Sequence, residues 1–135
     1  MSQTNINISN QIEAIKYFIE KMDIEMIDAF LDNDKTYQEF EKGLFINKLD
    51  QVFLSFLNFG DTFLIAVDGN CNKCDKNKKG YTFIGNKSNN YLSIIFDTAD
   101  SKIKDLYECS NFKNKLTNLN LKKRIFIDNE FPLPF

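Results

Sequence analysis

Histidine and tryptophan are absent from this chain of 135 residues, and arginine occurs once among its 17 basic residues. Glycine and proline are also scarce, with five and two copies, and there are three cysteines. An odd number of cysteines does not form a disulfide framework. Without histidine, a metal site would depend on thiolates and carboxylates alone.

The chain also lacks a basic surface and long apolar runs. Its net charge is −2, which argues against nucleic acid, because phosphate binding requires concentrated positive charge. The one local excess of lysine, at residues 73–79, is interrupted by Asp75 and is typical of a solvated loop. The first ten residues show no leader peptide, and no apolar run approaches the ~18 residues of a membrane helix. We therefore expect a cytoplasmic protein that binds neither nucleic acid nor membrane.

What the chain has in quantity is bulky apolar side chains. Hydrophobic residues make up 43% of it, and 14 residues are phenylalanine, which is enough for a substantial core. The length predicts a single domain over residues 1–135. We expect its core at about 10–110, followed by a polar segment and tail at 111–135.

Helical spacing of apolar residues marks the first half of the chain. It predicts helices over residues 10–22, 23–31 and about 37–59. Asn10 and Asp23 are suitable N-cap residues for the first two helices, and Gly60 is a suitable stop for the third.

After Gly60 the period of the apolar pattern changes to two. Strands are predicted at 61–68, 80–86, 90–97 and 102–110, with a short last strand at 124–129. Three helices followed by an antiparallel meander predict an α+β fold.

Two stretches, "KYFIEKMDIEMIDAFLDNDKTYQE" and "IIFDTADSKIKDLYE", resemble the nuclear transport factor 2-like superfamily, which includes ketosteroid isomerase and the SnoaL-like polyketide cyclases. The resemblance covers about residues 10–110. It implies a cone, in which a strongly bent antiparallel sheet packs on three N-terminal helices and a pocket opens between them. It also implies a homodimer paired through the outer face of the sheet. The strand "TFLIAV" (62–67) agrees with this, because it is apolar on both faces and neither face suits exposure to water.

The resemblance to the isomerase-type members places two site residues. Tyr17 falls near their helix tyrosine and Glu39 falls at their general base, but the strand "YLSIIFD" (91–97) lacks their protonated acid. For Glu39 the alternative is a capping box with Thr36, in which it reaches back to the start of the third helix. For Tyr17 the alternative is a half-buried helix aromatic.

Asp105 is a third candidate, and its position depends on which face of its strand points inward. In an extended strand it lies on the same face as Ile103, Tyr107 and Cys109. If that face is internal, Asp105 is a carboxyl group in an apolar pocket with a raised pKa. If the alternate residues are internal, Asp105 is solvated, and the sequence leaves both options open.

Two functional hypotheses follow. The first is a small-molecule-binding protein of the SnoaL-like type, with an apolar pocket for a small apolar or amphipathic ligand. Its candidate ligand-binding residues are Tyr17, Tyr37, Glu39, Tyr91, Asp105 and Tyr107, with Glu39 and Asp105 also as weak catalytic candidates. The alternative is a non-catalytic dimeric interaction module whose pocket is filled by its own phenylalanines. A pocket of roughly 300 Å3 or more would favour the first hypothesis. No catalytic set is complete, and no cofactor is predicted.

The stretch "GNCNKCDKNKKG" (69–80) contains Cys71 and Cys74 at the spacing of half a zinc site. The meander predicts that it forms a hairpin tip, with Cys109 roughly 20 Å away at the opposite edge of the sheet. Asp68 and Asp75 are then the only other nearby ligands. Reduced loop thiols, a weak metal site and a redox pair remain alternatives, and we expect little or no bound zinc.

Overall fold

The structure, a computed structural model, describes residues 10–71, 78–100, 102–108, 112–114 and 120–127. Its helices are α1 (Gln11–Lys21), α2 (Ile24–Phe30) and α3 (Lys42–Asn58). Its strands are β1 (Thr36–Tyr37), β2 (Phe40–Glu41), β3 (Leu64–Cys71), β4 (Lys78–Gly85), β5 (Tyr91–Ala99), β6 (Lys102–Tyr107) and β7 (Phe112–Asn114). No helix in these ranges has the length and apolar character needed to cross a membrane. The predicted α+β class is confirmed.

The first two helices begin where their capping residues predict. The Asn10 side chain accepts hydrogen bonds from the backbone N–H groups of Ile12 (2.9 Å) and Glu13 (3.4 Å). Asp23 caps α2 by accepting from Met26 N–H at 3.2 Å. These side chains satisfy donors that the first helical turn leaves free, so both N-cap predictions are confirmed.

The third helix begins later than predicted, at Lys42. Residues 36–41 form the two-stranded hairpin β1–β2 instead, and its turn residues Gln38 and Glu39 have φ angles of 51° and 69°. Left-handed residues cannot continue a right-handed helix, so the capping-box interpretation of Glu39 is wrong. The end of α3 is as expected, with Gly60 at φ 94° directly after the C-cap.

The larger sheet has the strand order β6-β5-β4-β3-β7, and all of its pairs are antiparallel. The predicted four-strand meander is confirmed. Strand β7 was not predicted, because its short polar sequence carries no alternation. The predicted strand at 124–129 is reduced, within the described residues, to one parallel bridge between Arg124 and Tyr91.

Both faces of the sheet contain buried residues. Phe83, Leu92 and Phe96 are fully buried on one face and belong to the same core as the apolar side of α1. On the other face Thr82 and Ser93 are buried, and their hydroxyl oxygens lie 3.0 Å apart. Burial of this hydroxyl pair is tolerated because the two groups satisfy one another.

Side chains of α1 satisfy backbone groups on both edges of the β3–β6 meander. Gln11 Oε1 accepts from Ile103 N–H of β6 at 2.7 Å, and its Nε2 donates to Phe30 O at 2.6 Å. Glu20 Oε2 accepts from Ala66 N–H of β3 at 3.0 Å. Edge groups that are occupied in this way are not available for pairing with other chains.

A buried carboxylate orders the loop between β4 and β5. Asp61 is 1% exposed, and its Oδ1 accepts from the N–H groups of Lys87 (2.7 Å) and Ser88 (2.8 Å). Its Oδ2 accepts from the Ser88 hydroxyl at 2.6 Å. Gly85 lies directly beneath the carboxylate, where a Cβ atom would overlap it.

Candidate functional site

The predicted site residues Tyr37, Glu39 and Asp105 lie close together where the β1–β2 turn contacts β6. Asp105 Oδ1 accepts hydrogen bonds from the backbone N–H groups of Gln38 (2.9 Å) and Leu106 (2.8 Å). The Gln38 side chain bonds Glu108 in both directions, donating to Oε1 at 3.2 Å and accepting from its N–H at 2.9 Å. The turn, which includes Glu39, is therefore fixed to the end of β6 by side chains.

Tyr37 lies beneath this turn and is fully buried. Its hydroxyl oxygen accepts from Asp32 N–H at 3.0 Å, and its ring centroid lies 5.5 Å from that of Phe45. Burial raises the pKa of Tyr37, and the negative charges of Asp32 and Asp105 raise it further, against the opposing effect of the Asp32 hydrogen bond. Tyr37 is thus a core residue whose hydroxyl group is engaged internally.

Desolvation is the main cause of a raised pKa at Asp105. The hydrogen bonds from Gln38 and Leu106 oppose it, and the charges of Asp97 and Glu39 add to it. No hydrogen bond from a described residue reaches Oδ2, so this oxygen is the one that can carry a proton. A half-buried carboxyl group of this kind can accept or release a proton above the usual aspartate range.

Strand β6 does not place alternate residues inward along its whole length, as both alternatives in the sequence analysis assumed. A register shift between Asp97 and Thr98 separates the pairs Asp97–Asp105 and Thr98–Ile103. As a result Ile103 and Leu106 are both buried, three residues apart, while Asp105 is half-buried. A bulge adds one residue to a strand and reverses the alternation after it, which a simple parity argument misses.

The remaining predicted residues lie elsewhere. Tyr17 packs its ring against Phe18 at 5.5 Å, with the Lys21 ammonium 5.5 Å from the Tyr17 centroid. Tyr91 exchanges backbone hydrogen bonds with residues 123 and 125. Among the described residues, no hydrogen bond or ring contact joins Tyr17 or Tyr91 to Asp105. These contacts place neither tyrosine directly against Asp105.

Tyr107 and Glu39 differ in their surroundings. The Lys78 ammonium lies 5.6 Å from the Tyr107 ring centroid, on the partly covered face of the sheet. Glu39 is exposed at the tip of the turn and contributes charge near Asp105 rather than a direct contact. Tyr107 and Glu39 are therefore candidates for contact with a ligand only if that ligand binds at the protein surface.

Sequence analysis missed Tyr81, which is 5% exposed on the helix-facing side of β4. Its ring packs edge-on against Phe96 at 5.2 Å, and the Lys16 ammonium lies 4.8 Å from its centroid. Burial raises the pKa of Tyr81, with smaller contributions from Glu13 and Asp68. The alternation in "GYTFIG" places Tyr81 and Phe83 on one face, and this signal could have identified it.

The cysteine prediction falls mostly outside the described residues, which exclude Cys74, Cys109 and the tip at 72–77. Cys71 ends β3, and its backbone pairs with Phe112 of β7. Strand β6 lies at the edge of the sheet far from β3, as the meander predicted, whereas the position of Cys109 itself lies outside the described residues. The described residues contain no group of three or more acidic, cysteine or histidine side chains that could hold a metal ion. Low zinc content stays a prediction.

Neither a model of a known protein family nor a curated protein matches this chain.

Proposed function

We propose that the chain is a non-catalytic, homodimeric interaction module with the cone-shaped fold of the nuclear transport factor 2-like superfamily. One observation carries the proposal: large apolar side chains are exposed along the end of α3 and the start of β3. They are Leu54, Leu57, Phe59, Phe63 and Ile65, each 41–53% exposed. Single exposed apolar residues are common, but five within twelve residues favour a contact surface.

The filling of the interior supports a module over an enzyme. Six aromatic side chains between the helices and the sheet are almost completely buried: Tyr37, Phe45, Phe53, Phe56, Phe83 and Phe96. Their rings belong to one continuous apolar core. The carboxyl group of Asp105 and the hydroxyl group of Tyr37 are both engaged with the backbone of neighbouring loops. The exposed apolar side chains therefore support the proposal more directly than these two polar groups do.

Two features support a bent sheet within this proposal, and the first is the position of α1. Gln11 and Glu20 are nine residues apart, about 13.5 Å along a helix, and they bond opposite edges of the meander. Edge N–H groups point outward roughly within the sheet. One straight helix can accept from both edges only if the sheet curls towards it.

The second feature is the short connection between the outermost strands. Cross-strand pairing places Tyr107, Ile95, Gly80, Gly69 and Asn114 in one row. In a flat sheet, Tyr107 and Asn114 would be four strand spacings apart, and Phe112 lies two residues further along β7. Tyr107 and Phe112 would then be separated by roughly 20 Å. Five peptide units span at most about 18 Å, which is shorter than that separation and therefore supports a curved sheet.

A second copy of the chain is the proposed partner for the apolar surface. Ile65 is exposed on the face of β3 opposite the helix-side core, beside Ile84 in the pairing register. Further across that face Thr82, Ile84 and Ser93 are buried within the chain itself, so the proposed contact lies at its β3 side, where Ile65 is exposed. Two such exposed patches can cover each other about a twofold axis.

Light scattering on the full chain at micromolar concentration tests the proposal. The double variant Phe63→Lys/Ile65→Lys should weaken the dimer at least tenfold, because it places charge in an apolar contact. The matched control is Met26→Lys/Leu44→Lys, which alters residues exposed at other positions on the helices. A monomeric wild-type protein, or equal weakening by both variants, would show that this surface is not a dimer interface.

The surroundings of Tyr81 favour small-molecule binding as a second candidate function. Its ring lies on the helix-facing side of the sheet, 4.8 Å from the Lys16 ammonium, and the charges of Glu13 and Asp68 contribute to its raised pKa. A ligand would bind between α1 and β4 and contact the ring. Native mass spectrometry of the freshly purified protein tests this: a retained mass that disappears in Tyr81→Phe supports binding, and a bare chain in both proteins opposes it.

A further inference from the structure

The last described segment of the chain runs in extended form beside the start of β5. Tyr91 N–H donates to Lys123 O at 2.9 Å, and Ile125 N–H donates to Tyr91 O at 2.7 Å. Lys122 N–H donates to Asn89 O, also at 2.9 Å. These bonds fix the backbone of the segment without any partner, which lowers the entropic cost of binding one.

The side chains of this segment alternate between the core and the surface. Ile125 is half-buried and Ile127 is 1% exposed, and both pack on the core. On the outward face the Arg124 guanidinium lies 4.6 Å from the ring centroid of Phe126, which is 46% exposed. Lys122 shares this face, because alternate residues of an extended chain lie on one side and about 6.6 Å apart. Two cations and an aromatic ring therefore follow one another along the surface, and Lys122, Arg124 and Phe126 are called the basic strip below.

The positive charge of this segment is not balanced by described acidic residues. Lys122 and Lys123 are exposed, and their ammonium groups form no ion pair with a described residue. The described acid in contact with the segment is Glu108, which accepts a backbone N–H from it at 2.8 Å. Asp128 and Glu130 follow in the sequence, outside the described residues. The described part of the segment thus offers charge that a negative partner can neutralise.

We propose that the basic strip binds an acidic peptide segment of a partner protein in an extended conformation. Carboxylates at alternate positions of the peptide lie against Lys122 and Arg124, and an apolar side chain lies against Phe126. The spacing matches, because alternate side chains of an extended peptide are also about 6.6 Å apart. The exposed ring supplies an apolar contact that a purely ionic surface lacks.

The charge of the whole molecule favours a peptide over a nucleic acid as the partner. The net charge of the chain is −2, so a long polyanion that extends beyond the strip meets repulsion. A short acidic peptide engages the strip alone. In the order of the sheet, β5 is two strands away from β3, which carries Ile65. The strip is therefore a second surface, separate from the proposed dimer contact.

Fluorescence anisotropy of the full chain with a labelled synthetic peptide tests this proposal. The peptide alternates glutamate with serine and ends in phenylalanine, and a second peptide of the same composition carries its glutamates in one block. The alternating peptide should bind more tightly, because its carboxylates match the spacing of the cations. Its binding should weaken as salt is raised to about 0.15 M, where charges more than about 8 Å apart are largely screened.

Two neighbouring lysines provide a matched pair of variants. Lys122→Glu should weaken binding of the alternating peptide roughly fivefold, the scale of one exposed ion pair, and Phe126→Ser should also weaken it. Lys123→Glu makes the same change in net charge on the other side of the extended chain and should have a clearly smaller effect.

Three results would overturn the proposal. The first is no binding of the alternating peptide at low salt. The second is equal weakening by Lys122→Glu and Lys123→Glu, which would indicate unspecific attraction to net charge. The third is tighter binding of a single-stranded oligothymidylate of the same charge as the peptide, which would indicate a nucleic-acid surface.

Discussion

At the scale of single residues, the scarcity of glycine shapes the turns of this chain. Within the part of the chain that the structure describes, five residues other than glycine have left-handed backbones: Met22, Gln38, Glu39, Asn89 and Asp100. Each stands at the end of a helix or in the turn of a hairpin. Only asparagine and aspartate adopt this conformation readily besides glycine, so Met22, Gln38 and Glu39 are held there by their surroundings.

We predict that Glu39→Gly stabilises the protein relative to Glu39→Ala by about 1 kcal/mol, because glycine adopts φ near 69° without a Cβ penalty. Urea unfolding at neutral pH measures the difference. If Glu39 instead capped a helix, alanine would lower stability by about 0.5–2 kcal/mol and glycine would not recover it. Such an outcome would restore the capping interpretation.

Gly85 is required for a different reason, the close approach of the Asp61 carboxylate. We predict that Gly85→Ala lowers the free energy of unfolding by about 1–3 kcal/mol, the usual range for overpacking. The control is Gly43→Ala in α3, where a Cβ meets nothing within 4 Å and helix propensity favours alanine by up to about 1 kcal/mol. Opposite signs in urea unfolding confirm the contrast, and a neutral Gly85→Ala contradicts it.

At the scale of elements, periodicity was sufficient wherever one face of a helix or strand is buried. It predicted α1, α2, the body of α3 and the four strands of the meander. It failed at residues 36–41, because Phe40 and Leu44 continue a helical spacing through a turn that lacks glycine. It also failed at β7, which has three residues and no alternation. Pairing with Cys71 is a tertiary effect that no local pattern carries.

The link between α1 and β6 offers an element-level prediction. Gln11→Ala should cost about 1–3 kcal/mol in free energy of unfolding, because Ile103 N–H and Phe30 O both lose a partner. Gln11→Glu keeps the acceptor for Ile103 but loses the donor to Phe30, so its cost should be smaller. Denaturant unfolding of both variants decides this, and equal costs would indicate that the bond to Ile103 contributes nothing.

At the scale of the molecule, the candidate site was only partly predictable. Glu39 was singled out by the superfamily resemblance and Asp105 by its place in a strand with apolar residues, and the structure brings both close to Tyr37. Their arrangement was not predictable, since it depends on the bulge in β6 and on Gln38, a residue type without a distinctive signal. The outcome is a turn anchored to a sheet edge rather than a set of groups converging on a pocket.

The two buried tyrosines determine how the whole fold responds to alkali. The pKa values of Tyr37 and Tyr81 are both raised above 10.0, chiefly by burial, so the folded protein retains two protons that the unfolded chain releases. Their contribution to stability is complete below about pH 10 and is lost as pH rises through the folded values. We predict that the free energy of unfolding falls steeply above pH 10, as measured by urea unfolding at successive pH values.

Tyr37→Phe should cost about 1 kcal/mol at pH 7, because Asp32 N–H loses its acceptor, but should make the alkaline decline shallower. Equal slopes in wild type and Tyr37→Phe would mean that the Tyr37 hydroxyl titrates as freely in the folded protein as in the unfolded chain.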